Sequence, residues 1–316
     1  MKNNKLHVLF LFIAAFFWGT TFAAQSIGAG YVQAFTYLAG RSWVAVIVLT
    51  PVISLIDAMT EKQGKYSRKP KNAWQRRYLL AAGCICGTCL CLASWAQQAG
   101  MAYTSASKAS FLTTLYVVLV PLFSIFLKKK PPVQIWICVL IALIGMLLLC
   151  VGKSLLGGQA MEIEKGDALV ILCALLFTIQ VLCVAYFVPM VDPVRLSRVQ
   201  FATVAVESTI LMFVFEQPSA EMIRLAFPAI LYAGIFSSGV AYTLQIVGQE
   251  DVNPTLASLV MSLESVFGAI SGWIVLGERM LPVEMAGAAL MFAAVILAQM
   301  PLPEKQAGQA QESQIE

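Results

Sequence analysis

Charged residues and histidine are scarce in this chain of 316 residues. Asp, Glu, Lys and Arg together make up 12% of the sequence, whereas a soluble domain carries about 25% of these residues. Histidine occurs once, at His7, while hydrophobic residues make up 59% and the mean hydropathy is +0.79. This composition excludes an ordinary soluble domain and indicates an integral membrane protein.

The sequence also lacks the motifs of known intramembrane chemistry. It contains no His-Glu-x-x-His pair, no Gly-x-Ser-x-Gly elbow, no P-loop and no paired aspartates within its apolar runs. An integral membrane enzyme is therefore the less favoured alternative, and ATP-driven transport by this chain alone is excluded.

Four of the eight cysteines lie close together in the sequence, as they would in a metal site. At about 100° per residue on a helix, Cys84 and Cys91 share one face, whereas Cys86 and Cys89 share another. Because no single face collects four thiolates, we interpret these cysteines as small apolar side chains of a membrane helix. We expect neither a metal nor a cofactor.

Ten apolar runs are long enough to cross the membrane as helices. A helix needs about 20 residues to cross roughly 30 Å of hydrocarbon, and continuous hydrophobicity without alternation is typical of helices. The sequence predicts an all-α integral membrane protein whose ten transmembrane spans are 7–27, 33–57, 78–99, 104–127, 133–151, 166–188, 194–215, 225–247, 253–276 and 283–300.

Basic residues are concentrated on one side of the predicted membrane. Of the 21 Lys and Arg residues, 15 lie on one side and only four lie in loops of the other side. The 15 are Lys2, Lys5, Lys62, Lys65, Arg68, Lys69, Lys71, Arg76, Arg77, Lys128, Lys129, Lys130, Arg195, Arg198 and Lys305. This distribution predicts a multi-pass protein of the cell membrane with both termini cytoplasmic. The basic residues that give the net charge of +4 then face anionic lipid, so we expect no nucleic-acid partner.

The last five spans repeat the first five in the same order. Spans one and two align with spans six and seven at an offset of 159, and span four aligns with span nine at an offset of 148. Because five is odd, equivalent spans cross the membrane in opposite directions, which predicts two inverted repeats with a site near the midplane. We place the first five-helix repeat at 1–151, the second at 152–300 and a disordered cytoplasmic tail at 301–316.

Small residues recur at helical spacing in both repeats. Gly83-xxx-Gly87 in span three corresponds to Gly234-xxx-Ser238 in span eight. Span four carries Ser110-xxx-Thr114 and span nine carries the equivalent Ser258-xxx-Ser262. Such pairs allow two membrane helices to approach closely. They predict that span three packs against span four, and span eight against span nine, as central helices.

Three groups of residues resemble a known family. They are Trp18-Gly19 with Phe22, the run from Ala109 to Tyr116 that leads to Pro121, and Gly277-Glu278 before Gly287. Over residues 7–300 the chain resembles the ten-helix EamA-type permeases of the drug/metabolite transporter superfamily. It departs from them at Lys128-Lys129-Lys130, where Gly-Glu is frequent, and at Ala269, where proline is frequent. The resemblance implies a transporter in a superfamily whose cargoes include amino acids, metabolites, nucleotide sugars and drugs.

Four ionisable residues lie within the predicted spans, at Arg41, Lys108, Glu207 and Glu264. Inserting such a residue at the bilayer centre costs about 2.5–3.5 kcal/mol, so its side chain is expected to face protein or water. In the functional interpretation, Arg41 or Lys108 contacts an anionic group of the cargo. Glu264 or Glu207 then binds a coupling proton or a cationic group. In the alternative, these charges pair with neighbours and hold the bundle together.

Neutral polar and aromatic residues extend this set of candidates. They are Trp18, Gln97, Tyr116, Gln180 and Gln245, of which Gln97 and Gln245 share the offset of 148. Each lies within a span where contact with lipid is unfavourable, so each is a candidate contact for the cargo. Alternatively, the glutamines cross-link helices and the aromatic rings only pack.

The repeats, the intramembrane polar residues and the family resemblance together predict a secondary transporter. We expect an exporter of a small polar metabolite such as an amino acid, coupled to protons and working by rocking of the two halves about the central helices. The alternatives are a membrane scaffold or receptor that does not transport, and the less favoured membrane enzyme.

Overall fold

The fold is a bundle of membrane-spanning helices, seen in a computed structural model that describes residues 2–62, 69–103, 106–126, 131–156, 165–276 and 281–300. Within these residues the regular structure is helical. The helices are α1 (Lys2–Ala29), α2 (Ala34–Lys62), α3 (Ala73–Gly100), α4 (Ala106–Thr114), α5 (Tyr116–Phe126), α6 (Val133–Leu156), α7 (Lys165–Phe187), a 3₁₀ helix (Val188–Met190), α8 (Pro193–Phe215), α9 (Ala220–Tyr232), a π-helix (Ala233–Ala241), α10 (Tyr242–Gly248), α11 (Pro254–Met261), α12 (Glu264–Leu276) and α13 (Pro282–Ala298).

The helices confirm the predicted ten-span architecture. Seven helical segments in the described residues are long and apolar enough to cross a membrane, and three shorter apolar helices supply spans four, five and ten. Spans four and nine are each built from two helices in succession, and span eight from α9, the π-helix and α10. The predicted tail at 301–316, Lys128-Lys129-Lys130 and Gly277-Glu278 lie outside the described residues.

Spans four and nine are interrupted at equivalent positions. Helix α5 begins at Tyr116 and helix α12 begins at Glu264, which are related by the offset of 148. The side chains of Thr114 and Ser262, just before the two breaks, donate hydrogen bonds of 2.7 Å to backbone carbonyls one turn earlier. Bonds of this kind compete with the helix and bend it. Interrupted helices near the midplane are a recurrent feature of transporter sites.

The two repeats are interleaved instead of lying side by side. Helices α1, α2, α9, α10, α11 and α12 form one bundle, while α3, α4, α5, α7 and α8 form the other. Each bundle thus takes two spans from each repeat. Helices α6 and α13, which are spans five and ten, pack against each other and complete the molecule.

Glycines bring spans of different repeats into close contact. A Cβ atom on Gly87 of α3 would lie 2.6 Å from Thr203 Cβ in α8, and one on Gly234 would lie 2.5 Å from Val44 Cβ in α2. These contacts join span three to span seven and span eight to span two. The prediction that the small residues join span three to four and span eight to nine is therefore wrong, because their partners come from the opposite repeat.

Helices α2 and α8 form a major contact between the two bundles and are tied together at both ends. Near the N terminus of the chain, Arg195 of α8 donates hydrogen bonds of 2.6 and 2.7 Å to the two carboxylate oxygens of Asp57 in α2. At the opposite face, Glu216 after α8 accepts bonds of 2.7 and 2.8 Å from the backbone nitrogens of Phe35 and Thr36. We call these two faces the N-terminal face and the distal face.

Candidate functional site

A buried cavity lies between the two bundles, and seven of the nine candidate residues line it. The seven are Trp18, Arg41, Gln97, Tyr116, Gln180, Gln245 and Glu264. The volume of the cavity that a water molecule can enter is about 30 Å³. A single water molecule needs about 10–15 Å³ by this measure, so the cavity has room for roughly two or three waters.

The cavity wall follows the two-fold relation between the repeats. Five pairs of lining positions are equivalent at an offset of 159 or 148: Trp18 with Phe177, Phe22 with Val181, Gln97 with Gln245, Thr113 with Met261, and Tyr116 with Glu264. Only the glutamine pair keeps the same residue type. The positions are therefore symmetric, whereas the chemistry of the cavity is not.

Arg41 supplies the positive charge of the cavity. Its side chain is buried, with the residue 3% exposed, and its guanidinium donates a long hydrogen bond of 3.4 Å to Ser94 Oγ. Within the described part of the chain, its Nε has no hydrogen-bond partner and no carboxylate lies within 4 Å of the group. A buried cation without a counter-ion is unfavourable, so this guanidinium is available to an anionic group in the cavity.

Glu264 supplies the negative charge. It is the first residue of α12, where the positive end of the helix dipole favours a carboxylate. The residue is 5% exposed, and the hydroxyls of Tyr116 and Thr114 approach its carboxyl group across the break in span four. Its Oε1 nevertheless lacks a well-aligned hydrogen bond to any described residue. This oxygen can accept a bond from a donor in the cavity.

A chain of glutamine amides crosses the boundary between the bundles. Gln245 Nε2 donates to Gln180 Oε1 at 3.2 Å, and Gln180 Nε2 donates to Gln200 Oε1 at 3.1 Å. Gln97 Nε2 donates separately to Thr113 Oγ1 at 3.1 Å. Gln245 Oε1 has no partner among the described residues and forms the open acceptor end of the chain. The amides thus connect the bundles and leave an acceptor at the cavity.

Aromatic rings form much of the remaining wall. The Trp18 ring lies 4.7 Å from the Tyr242 ring between centroids, and Tyr242 in turn lies 5.4 Å from Phe201. Trp18 Nε1 and Tyr116 Oη are buried donors that have no well-aligned partner in the described part of the chain. The cavity therefore combines a flat apolar wall with unused hydrogen-bond donors.

Two candidates, Glu207 and Lys108, are not among the described residues that line the cavity. Glu207 lies elsewhere, where its Oε1 accepts a hydrogen bond of 2.6 Å from Thr88 Oγ1 within the α3–α8 bundle. Lys108 belongs to α4, but its side chain lies outside the described part of the structure.

Sequence reasoning missed several lining residues, above all Tyr242, Ser237 and Gln25. Ser237 lies within the π-helix, and Tyr242 is the first residue after it. A π-helical turn is rare and often marks a functional site, because its extra residue redirects the following side chains. Four small residues within one apolar run are the signal that could have revealed this irregular turn: Gly234, Ser237, Ser238 and Gly239.

Two interleaved inverted repeats, interrupted central helices and a charged cavity at their boundary define a membrane transporter. The model of the EamA-like transporter family matches the chain at residues 5–151 and again at 164–300. The chain belongs to the EamA-like transporter family, and this membership points to transport instead of enzymatic catalysis.

Two further comparisons agree with this assignment. A protein of Archaeoglobus fulgidus described as an uncharacterized transporter is 26% identical over 291 residues, which cover 91% of this chain and 83% of the relative. A protein of known crystal structure is 17% identical, and it aligns with a TM-score of 0.70 over 93% of this chain and 96% of its own. The second comparison supports the fold alone.

Proposed function

We propose that the protein exports a small zwitterionic metabolite, such as an amino acid, across the cell membrane. The observation that carries this proposal is the presence of one cation and one anion, Arg41 and Glu264, without counter-ions in the same buried cavity. An unpaired buried charge is unfavourable, so a cargo that brings both opposite charges gains binding free energy at both ends. An amino acid brings a carboxylate for Arg41 and an ammonium group for Glu264.

The rest of the wall suits the remainder of such a cargo. Trp18 and Tyr242 offer an apolar surface for a side chain, while the open amide oxygen of Gln245 accepts a hydrogen bond from an ammonium group. Lys108 remains a proposed second contact for the anionic group, from the distal end of span four.

Transport in this proposal occurs by rocking of the two interleaved bundles about the cavity, with both termini in the cytoplasm. The moving bodies are therefore not the two repeats, because each bundle contains spans of both. The cavity has about 30 Å³ of space for water, which is too small for an amino acid. Loading the cargo thus requires the bundles to separate at one face.

Proton coupling forms part of the proposal, and Glu264 is the residue that serves it. Its carboxyl group lies in the cavity, so one site can alternate between binding a proton and binding the ammonium group of the cargo. Glu207 is a weaker choice, because its carboxylate already accepts a bond from Thr88 outside the cavity. Efflux from proteoliposomes that is equally fast without a proton gradient would contradict the coupling.

Charge selectivity tests the proposed cargo class. Thermal unfolding of the purified protein is measured with each common amino acid, and the most stabilising one is compared with its carboxamide and its N-acetyl derivative. We expect the zwitterion to raise the midpoint temperature and both derivatives to fail. Arg41→Gln should remove the preference over the carboxamide, and Glu264→Gln the preference over the N-acetyl derivative.

Glu207→Gln is the matched control, because it neutralises an intramembrane carboxylate outside the cavity. It should preserve the selectivity of the unaltered protein. Equal stabilisation by the zwitterion and its derivatives would contradict the proposed cargo class. Selective binding without flux in proteoliposomes would instead favour the receptor alternative.

A further inference from the structure

A second, much larger cleft opens at the distal face. It lies between the α1–α2 connection, the end of α3 and the end of α8, and it encloses about 900 Å³. We call it the distal vestibule and define it by six of its lining residues: Tyr31, Phe35, Trp95, Gln98, Phe215 and Glu216. None of these six residues lines the central cavity.

Stacked aromatic rings form one wall of the distal vestibule. The Phe35 ring stacks on Trp95 with centroids 5.7 Å apart and an interplanar angle of 11°. Phe215 continues the stack, 6.3 Å from Phe35 at an angle of 28°. Three nearly parallel rings present a flat surface on which a planar apolar group can pack.

A buried acceptor lies in the vestibule wall. Gln98 is 4% exposed, and its Oε1 has no hydrogen-bond partner among the described residues. Its Nε2 donates to the backbone carbonyl of Gln25 at 3.2 Å, which fixes the amide and leaves the oxygen unused. A buried acceptor without a donor is unfavourable, so a ligand N–H at this position is favoured.

The charge of the distal vestibule has a single sign. Among the described residues that line it, Glu216 is the only charged one, and both of its oxygens already accept bonds from the start of α2. The carboxyl group and the aromatic wall line the same cleft. Ammonium groups are favoured by a carboxylate and by the faces of aromatic rings, whereas an anionic ligand is disfavoured.

Gln98 also connects the vestibule to the central cavity. Its hydrogen-bond partner, Gln25, lines the central cavity, and the side-chain oxygen of Gln25 also lacks a partner in the described chain. The contact between these two glutamines therefore forms part of the partition between the cavity and the vestibule. Separation of the bundles at the distal face would join the two spaces.

We propose that the distal vestibule is a second ligand site, selective for an amine that carries a flat apolar group. The ammonium group lies near Glu216 and the Gln98 oxygen, and the flat group packs on Trp95 and Phe35. Cargo leaving the central cavity passes through this site. That last step rests on the proposed function, whereas binding at the vestibule does not.

Binding of two small probes to the full-length protein in nanodiscs tests the site, with empty nanodiscs correcting for partition into lipid. The probes are 2-phenylethylamine and 3-phenylpropionate, which have similar rings and opposite charges. We expect the amine to bind and the carboxylate to bind about tenfold more weakly or not at all. Trp95→Ala and Gln98→Leu should each weaken amine binding by about fivefold or more.

Matched variants identify the location of the probe. Trp273→Ala removes an exposed tryptophan outside the vestibule, near the distal end of α12, and should leave amine binding unchanged. Trp95→Phe keeps a ring and should restore binding. Thermal unfolding of each variant checks its folding. Absence of amine binding, or equal binding of the two probes, would overturn the vestibule site. So would amine binding by the Trp95→Ala variant that is as strong as binding by the unaltered protein.

Efflux separates this inference from the proposed function. Gln98→Leu should slow amino-acid efflux from proteoliposomes by about fivefold while thermal stabilisation by the zwitterion is retained. Unchanged efflux in this variant would overturn passage through the vestibule. If the unaltered protein shows no amino-acid efflux but binds the amine at Trp95, the proposed function fails and the vestibule site stands.

Discussion

Asp57 and Glu216 occupy equivalent positions in the two repeats, 159 residues apart, and each carboxylate holds the first turn of the opposite helix. Asp57, near the end of α2, binds Arg195 at the start of α8. Glu216, just after α8, binds the backbone nitrogen and hydroxyl of Thr36 at the start of α2, at 2.8 and 2.6 Å. Arg195 and Thr36 are themselves related by the offset of 159.

The two contacts differ in strength because their donors differ. At the N-terminal face the donor is a guanidinium, and Lys69 and Asp192 extend the ion pair at 3.4 and 3.1 Å. At the distal face the donors are neutral groups at the beginning of a helix. Because α2 and α8 belong to different bundles, the rocking that we propose would have to break one contact to open each face. Both contacts are formed here, which agrees with the narrow central cavity.

Removing the charge of Asp57 should favour opening at the N-terminal face. Asp57→Asn weakens the Arg195 contact and leaves the Glu216 contact intact. Spin labels at the exposed positions Met59 and Met190, one on each bundle, report the separation by pulsed electron resonance. We expect a longer mean distance or a new long component in the variant. Unchanged distances would show that the ion pair does not hold this face closed.

Glu216→Gln should have the converse effect at the distal face. The amide retains one oxygen for the first turn of α2 and loses the charge that favours the helix N-terminus, a change worth about 1 kcal/mol. Labels at Tyr31 and Tyr103, on opposite bundles, should move apart, while the pair at Met59 and Met190 stays unchanged. Separation of the labels at Met59 and Met190 instead would contradict the assignment of the two contacts to opposite faces.

Close packing between repeats predicts a stability effect. A Cβ atom on Gly87 would lie 2.8 Å from the Gln200 carbonyl oxygen, and one on Gly234 would lie 2.9 Å from the Arg41 carbonyl oxygen. Gly87→Ala and Gly234→Ala should each destabilise the protein by about 1–3 kcal/mol. Thermal unfolding in detergent measures this loss. Gly30→Ala is the control, because its nearest contact is 3.4 Å, and an equal loss there would contradict the packing account.

The glutamine chain should behave as one unit. Gln180→Leu leaves Gln245 Nε2 and Gln200 Oε1 without partners, which costs about 1–3 kcal/mol. The double variant Gln180→Leu with Gln245→Leu should cost less than the sum of the two single changes, because one orphaned amide is removed. Chemical or thermal unfolding of the unaltered protein, the two single variants and the double variant measures these free-energy differences. Strict additivity would indicate that the Gln245–Gln180 bond contributes nothing to stability.

The sequence was sufficient to predict the spans, because the length and hydrophobicity of each run are physical requirements of crossing a bilayer. It also identified seven of the 15 described residues that line the cavity. Seven of nine polar or aromatic candidates line one space, since intramembrane polar groups avoid lipid. Glu207 shows the limit of that rule, because the hydroxyl of Thr88 on a neighbouring helix satisfies its partly buried carboxylate outside the cavity.

The pairing of helices could not be predicted in the same way. Gly87 marks a close contact but does not identify its partner, which is Thr203 of the other repeat instead of a residue of span four. Tyr242 was missed because a tyrosine inside an apolar run resembles an ordinary packing residue. Its place in the cavity depends on the preceding π-helix, which periodicity at 3.6 residues per turn does not reveal.

Efflux of amino acids from proteoliposomes tests the central claim most directly. Vesicles loaded with a mixture of amino acids are compared for the unaltered protein, Arg41→Gln, Glu264→Gln and the control Glu207→Gln, with thermal unfolding to verify folding. The account predicts efflux of a zwitterion by the unaltered protein and by Glu207→Gln, and a loss of about tenfold or more in both cavity variants. Equal efflux by all four proteins would contradict the assignment of the cargo to Arg41 and Glu264.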